Sequence, residues 1–294
     1  MSERFVVVGA GTMGAGIGYA AALAGYHVTL CEVDHDRARA GLDRIGRWAQ
    51  AAEDRGKAEP GTATRVRSAV SIVTDITQAP EGADVFVEAV PEQRDLKRHI
   101  LSAAQERSPK LLATNTSSIS ITELATELDR PDRFIGLHFF NPVYAMPLLE
   151  IVTGDRTSEQ TRDAALDVAE RLGKQPIVVR DAPGFATSRL GNALGLEAIR
   201  MVESGVADAG DIDKAMSLGY RHPMGPLELT DVVGLDVRLD IARTLQAAYG
   251  DRFAPPQLLI DMVAQGKLGK KTGEGFYRWH NGQKVTLWPT RPWR

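Results

Sequence analysis

The apolar run Phe5-Val-Val-Val8 passes without a break into Gly9-Ala-Gly11-Thr12-Met13-Gly14, and the small and apolar residues that follow are helix-forming. A strand, three glycines at this spacing and a helix start describe the turn that opens a βαβ unit. The first glycine permits the tight turn, the second lets the backbone approach a pyrophosphate, and the third allows helix and strand to pack closely. The helix N-terminus beyond them offers unpaired N–H groups and partial positive charge to phosphate oxygens. Glu32 follows the next apolar run, Val28 to Cys31, and lies 18 positions after Gly14. A carboxylate there accepts hydrogen bonds from an adenosine ribose and repels a 2′-phosphate, which favours NAD over NADP. Asp34 stands farther beyond the strand and is the second choice for the ribose. A packing turn beside a solvated Glu32 would account for the glycines alone, but not for strand, glycines, helix and distal carboxylate in order.

Further short apolar runs alternate with helical patterns: Val70 to Val73, Val85 to Ala89, Leu111 to Ala113, Phe134 to Phe140 and Ile177 to Val179. Such alternation predicts a parallel sheet with helices on both faces, and the scarcity of polar alternation fits strands buried on both sides. At Asp181-Ala-Pro-Gly-Phe185 proline and glycine punctuate the chain, and the helical stretches Ala186 to Glu203, Asp208 to Leu218, Leu235 to Tyr249 and Pro255 to Gln265 follow. The expected architecture is α/β, a Rossmann-type doubly wound, mostly parallel sheet followed by an all-helical domain. The boundaries expected are 1–183 for the sheet domain, 184–284 for the helical one and 285–294 for a tail.

Composition narrows the class of ligand. A net charge of −3 and the absence of a dense Lys/Arg run argue against a nucleic-acid groove or a membrane-surface patch. The single cysteine, Cys31, permits no internal disulfide and reads as core filler. Arg4 leads straight into the first apolar run, which leaves no room for the regions of a signal peptide, and we expect a cytoplasmic protein without a metal.

Two other strand ends carry polar residues, as a ligand lying across the carboxyl ends of a sheet requires: Glu88-Ala-Val-Pro-Glu92 and Thr114-Asn115-Thr-Ser117-Ser118. The second reads equally well as a helix cap before Ile119. More specific is Gly136-Leu-His138-Phe-Phe-Asn141-Pro142, followed by Glu150 at the end of another apolar stretch. Oxidation of an alcohol needs a base whose pKa lies near working pH, a demand histidine meets. A carboxylate on the other ring nitrogen would fix the tautomer and stabilise the imidazolium.

From Arg4 to about Tyr277 the chain resembles the short-chain L-3-hydroxyacyl-CoA dehydrogenase family, which includes bacterial 3-hydroxybutyryl-CoA dehydrogenases. The resemblance rests on Gly9-Ala-Gly-Thr-Met-Gly14, Asn115-Thr-Ser-Ser118, His138-Phe-Phe-Asn-Pro142, Asp181-Ala-Pro-Gly-Phe185, His222-Pro-Met-Gly-Pro226 and Gly269-Lys-Lys-Thr-Gly-Glu-Gly-Phe-Tyr277. It implies an NAD-dependent enzyme in which His138 takes the 3-hydroxyl proton, Glu150 holds the imidazole, and Ser117 and Asn141 position substrate oxygen and nicotinamide. It further implies cofactor contacts from Asn115, Glu92, Lys97 and Lys271, an acyl-CoA substrate, and a homodimer formed through the C-terminal domain. Without the resemblance, Glu92, Lys97 and Lys271 read as surface charges.

The sequence departs from the family pattern at Ser188, where many members carry a substrate-binding asparagine; a hydroxyl is shorter and offers one donor instead of two. Ile45 and Ala52 stand where the resemblance puts a CoA-contacting serine and lysine, with Arg47, Arg55 and Lys57 nearby. The rival readings are a dehydrogenase of a free polyol or hydroxy acid, of the L-gulonate or carnitine type, and a non-catalytic NAD-binding protein. His222-Pro-Met-Gly-Pro226 matches the acyl-CoA branch better, and binding alone requires neither His138 nor Glu150.

Overall fold

The computed structural model describes residues 3–287, and the chain divides into two units between Ala182 and Pro183. The first unit is built on an eight-stranded sheet: β1 (Arg4–Val8), β2 (His27–Cys31), β3 (Val70–Val73), β4 (Val85–Glu88), β5 (Leu111–Thr114), β6 (Phe134–Phe139), β7 (Leu148–Thr153) and β8 (Gln175–Arg180). Their spatial order is β3-β2-β1-β4-β5-β6-β7-β8. The first six pair in parallel; β7 lies antiparallel to β6, and β8 runs parallel to β7. The strand order reverses beside β1, and a crevice opens there at the carboxyl ends of the strands, as in other open α/β sheets.

The helices of this unit are α1 (Thr12–Leu23), α2 (His35–Asp54), α3 (Thr62–Ala69), α4 (Arg94–Gln105), α5 (Ile121–Leu124) and α6 (Glu159–Arg171). Asp34, Ser120 and Ser158 cap α2, α5 and α6 by accepting from the backbone N–H three residues on. The α1 start differs: its cap position is Gly11 and no side chain satisfies its first turn. Most of α1 is buried, so it lies as a core element between sheet and α2. The central strands are buried on both faces, but β8 is an edge strand whose Ile177 and Val178 are exposed. The apolar reading of Ile177 to Val179 therefore located a strand without locating its environment.

The second unit packs α7 (Thr187–Glu203), α8 (Ala209–Gly219), α9 (Pro226–Val233), α10 (Leu235–Tyr249) and α11 (Gln257–Ala264) about a core that includes Leu196, Ile199, Leu227, Leu235 and Leu245. It also holds a short antiparallel hairpin, β9 (Tyr277–His280) with β10 (Gln283–Leu287). The expected tail boundary at 285 cuts through β10, and residues 288–294 lie outside the described residues. Two buried carboxylates hold this C-terminal segment. Asp213 accepts from Leu227 N, Glu228 N and Tyr277 Oη, and Asp231 accepts from Phe276 N, Tyr277 N and Trp279 Nε1. Burial raises both carboxyls above their ordinary range, against the lowering effect of these donors. Trp279, for which the sequence offered no role, is thus a donor to a buried acid.

Candidate active site

The crevice encloses about 1120 Å³ and is lined entirely by the first unit. The glycine loop forms one wall. Gly9 has φ +101°, and a Cβ on it would lie 2.6 Å from the Ala89 carbonyl oxygen; one on Gly14 would lie 1.7 Å from the Gly9 carbonyl oxygen. Both positions require hydrogen for the loop to close. A Cβ on Gly11 would meet nothing within 4 Å, so that space faces the crevice. Gly9, Gly11, Thr12 and Met13 line the crevice, while Gly14 is buried and serves helix-strand packing. The uncapped first turn of α1 directs its N–H groups toward the same space.

At the end of β2, Glu32 lines the crevice, with Oε2 accepting from Ala10 N at 3.1 Å and Oε1 from Val33 N at 3.2 Å. The loop, the helix start and this carboxylate together suit a dinucleotide: diphosphate against the open N–H groups, adenosine ribose against Glu32. Cys31 beside it is buried, and burial pushes its thiol up to about 11, which makes it inert.

The far half of the crevice is formed by two loops. Ala89, Val90, Pro91 and Glu92 follow β4, and Asn115 and Ser117 follow β5. Beneath them is Lys97, wholly buried on α4. Its ammonium donates to Glu88 Oε1 at 2.9 Å and Oε2 at 3.1 Å, to the Val90 carbonyl at 3.3 Å and to the Asn115 carbonyl at 2.9 Å. It also stands 3.4 Å from Glu92 Oε2. Lys97 is neither the surface charge that its sequence context indicated nor among the residues lining the crevice; it ties the two crevice loops together from below.

Glu92 does line the crevice, and its Oε1 accepts from Thr116 Oγ1, Ser117 N and Ser118 N. Burial opposes its charge, but Lys97 and these donors outweigh burial and hold the carboxyl below its ordinary value. Glu88 goes the other way: it is fully buried, and desolvation raises its carboxyl despite Lys97 and Thr114. The polar run after β5 thus borders the crevice through Asn115 and Ser117, and Thr116 Oγ1 accepts from Ile119 N, whereas the cap of the following helix is Ser120, outside that run. Asp181 ties the end of β8 to that run's helix through Ser120 Oγ at 2.6 Å and Thr122 N at 2.8 Å.

His138 lies on β6 and Glu150 on β7, directly opposite in the antiparallel register. Because opposed side chains share a sheet face, the pairing brings the imidazole and carboxylate together. Nδ1 and Oε2 are 2.6 Å apart; Glu150 is completely buried, whereas His138 retains 7% exposure and lines the crevice. Asn141 lines it just beyond the strand, and Asn115 Oδ1 accepts from Phe139 N at 3.0 Å, which links the β5 loop to the strand of His138. The structure brings together the glycine loop, Glu32, Glu92, Asn115, Ser117, His138 and Asn141 around one crevice, with Glu150 behind the histidine.

The remaining candidates belong to the second unit. Ser188 is half-buried in the first turn of α7, and Lys271 donates to both oxygens of Asp236 at 2.6 Å. Ile45 is fully buried in the core of the first unit, so it touches no ligand. The buried Lys97 tie and the Asp213 and Asp231 hubs escaped sequence reasoning, because a charged side chain carries no sign of burial until its partners are known.

Residues 4–182 match the model of the 3-hydroxyacyl-CoA dehydrogenase NAD binding domain, and residues 184–279 that of the 3-hydroxyacyl-CoA dehydrogenase C-terminal domain. A probable 3-hydroxybutyryl-CoA dehydrogenase of Bacillus subtilis is 40% identical over 278 residues, which cover 94% of this chain and 96% of that protein. The mitochondrial hydroxyacyl-coenzyme A dehydrogenase of Rattus norvegicus is 39% identical over 286 residues, covering 94% of this chain and 91% of its own. The crystal structure of (S)-3-hydroxybutyryl-CoA dehydrogenase from Ralstonia eutropha superimposes with a TM-score of 0.91 at 35% identity, over 96% of this chain and all of that one. With both domain models matched in order and relatives of this identity along nearly its whole length, the chain belongs to the 3-hydroxyacyl-CoA dehydrogenase family, whose members are NAD-dependent oxidoreductases.

Proposed function

We propose that the chain oxidises (S)-3-hydroxyacyl-CoA of short chain length, such as 3-hydroxybutyryl-CoA, to the 3-ketoacyl-CoA, reversibly, with His138 as general base. The observation that carries the reading is the His138–Glu150 pair, 2.6 Å apart at the wall of the crevice that carries the glycine loop. Nδ1 is engaged by Glu150, so Nε2 is the nitrogen that takes the 3-hydroxyl proton. Glu150 holds Nδ1 protonated, sets the ring's orientation and stabilises the imidazolium once the proton has arrived.

Bound NAD would supply the acceptor for the hydride that leaves carbon 3. Gly9, Gly11, Thr12, Met13 and the α1 N-terminus would hold its diphosphate, and Glu32 its adenosine ribose. Glu92, Asn115, Ser117 and Asn141 would border the nicotinamide end, Ser117 and Asn141 also orienting the substrate oxygen. Lys97 acts by fixing the loops that carry Glu92 and Asn115; Lys271 is assigned to the cofactor and Ser188 to the acyl group. Exposed Leu190, Leu229, Val232, Val233 and Val237 on α7, α9 and α10 support a homodimer through that unit. Among the described residues no helix is long and apolar enough to cross a membrane, and a cytoplasmic location is part of this proposal.

The test is NADH formation with (S)-3-hydroxybutyryl-CoA, L-gulonate and carnitine side by side. Turnover confined to the CoA ester is the expected result; turnover with gulonate or carnitine alone overturns the substrate assignment.

A further inference from the structure

At the adenosine end of the crevice the wall beyond Glu32 and Val33 is the first half of α2. Arg37, Ala40 and Arg44 line it at spacings of three and four, which puts them on one helix face. Arg44 Nη1 donates to the Ala10 carbonyl in the glycine loop at 3.4 Å, and Arg37 gives only its backbone N–H, to the cap Asp34. Neither guanidinium makes an ion pair with a described residue. The carboxylates at this end are engaged elsewhere: Glu32 accepts from Ala10 N and Val33 N, and Asp75, across the mouth, accepts from Thr77 N and Thr77 Oγ1 at 2.8 Å each. Two guanidiniums on a crevice wall, each a planar fork of donors matched to phosphate and neither neutralised, describe an anion subsite.

We propose that Arg37 and Arg44 form a phosphomonoester subsite beside the adenosine ribose, and that the single carboxylate of Glu32 is what keeps it from admitting the 2′-phosphate of NADP. A ribose hydroxyl donates to Glu32, whereas a 2′-phosphate at that point meets a like charge and is disfavoured by about tenfold or more. Replacing the carboxylate by a hydroxyl removes the repulsion and leaves both guanidiniums in reach. The inference rests on the adenosine lying at Glu32, and not on the identity of the acyl substrate.

The test uses nucleotide fragments without an acyl group, so it stands apart from the substrate question. Calorimetric titration of the wild type, Glu32→Ser and Glu32→Ser/Arg37→Ala/Arg44→Ala with 5′-ADP and with 2′,5′-ADP measures the subsite directly. The wild type is expected to bind 2′,5′-ADP about tenfold or more weaker than 5′-ADP, and Glu32→Ser to reverse the order by a similar factor, a gain that salt diminishes. In the triple variant the gain disappears while 5′-ADP affinity stays within about threefold of that of Glu32→Ser. No gain for 2′,5′-ADP in Glu32→Ser, or a gain that survives loss of both arginines, overturns the proposal. A collapse of 5′-ADP affinity in the triple variant overturns it too, because the arginines would then serve the diphosphate common to both ligands.

Discussion

His138 and Glu150 are twelve residues apart in sequence and directly opposite one another on β6 and β7, with Nδ1 and Oε2 separated by 2.6 Å. The antiparallel turnover of β7 against an otherwise parallel run of strands is what makes the pairing possible. A parallel β7 would have required a long crossover connection and carried Glu150 away from its histidine. For the dyad, His138→Ala is expected to lower kcat by about a thousandfold or more while NAD affinity, read by fluorescence titration, stays within about twofold. Glu150→Gln keeps the shape but removes the charge that stabilises the imidazolium, and should lower kcat by about a hundredfold or more. Unchanged turnover in His138→Ala refutes the assignment of the base.

The glycines separate packing from ligand space. Gly14→Ala places a Cβ 1.7 Å from the Gly9 carbonyl oxygen, so the loop must open, and a stability loss of about 3 kcal/mol or more is expected in urea denaturation. Gly11→Ala meets nothing within 4 Å. That variant should melt like the wild type and yet bind NAD about tenfold or more weaker, because the new methyl occupies the diphosphate's approach. Normal NAD binding in Gly11→Ala would remove the diphosphate from this loop.

Lys97→Met removes the cation that binds Glu88 and both crevice loops. A buried charge pair broken from one side costs about 3–5 kcal/mol, and urea denaturation should show a loss of that size. Glu88 already has a raised carboxyl in the native state, and without Lys97 it rises further. The folded state then binds a proton that the unfolded state releases, so the deficit should shrink as pH falls from 8 toward the folded value and grow as pH rises through it. A deficit independent of pH would mean that Glu88 does not carry the cost.

In the helical unit, Asp231 accepts three donors from the Gly275–Trp279 segment's Phe276, Tyr277 and Trp279. Asp231→Asn presents an NH2 group to N–H donors and should lose about 2–4 kcal/mol, with a change in tryptophan fluorescence as Trp279 loses its acceptor. The raised native carboxyl means that, in the wild type, this group's contribution to stability is fullest below its unfolded value near ~3.9 and is lost as pH rises through the folded value. The asparagine variant should lack that limb of the pH–stability curve; an identical curve would place the titration elsewhere.

Much of the site could be read from local signals. Gly9, Gly11, Gly14 and Glu32 follow one another in the order that a dinucleotide turn imposes, and the polar strand ends at Glu92, Asn115 and Ser117 could be found because apolar runs stop there. The helices of the second unit were readable by periodicity for α7, α8, α10 and α11, whereas the short α9 and the hairpin β9–β10 were not. The first begins at Pro226, where Pro223 and Gly225-Pro226 read as turn signals, and the second stands where Trp and charged residues alternate without a clear strand pattern.

What the sequence determined by itself is the set of groups bound to one short stretch of backbone: the glycine turn, the carboxylate after β2, the strand-helix alternation and the histidine before Asn141-Pro142. What only the tertiary structure decided is which distant charges meet. Lys97 became a buried tie under two loops, Asp231 an acceptor for the C-terminal segment, and Arg37 and Arg44 an unneutralised wall beside Glu32. Local conformation depends on neighbours along the chain, so it can be read in order; the ionisation and pairing of a charged side chain depend on desolvation and on partners that only the packing of separate elements supplies.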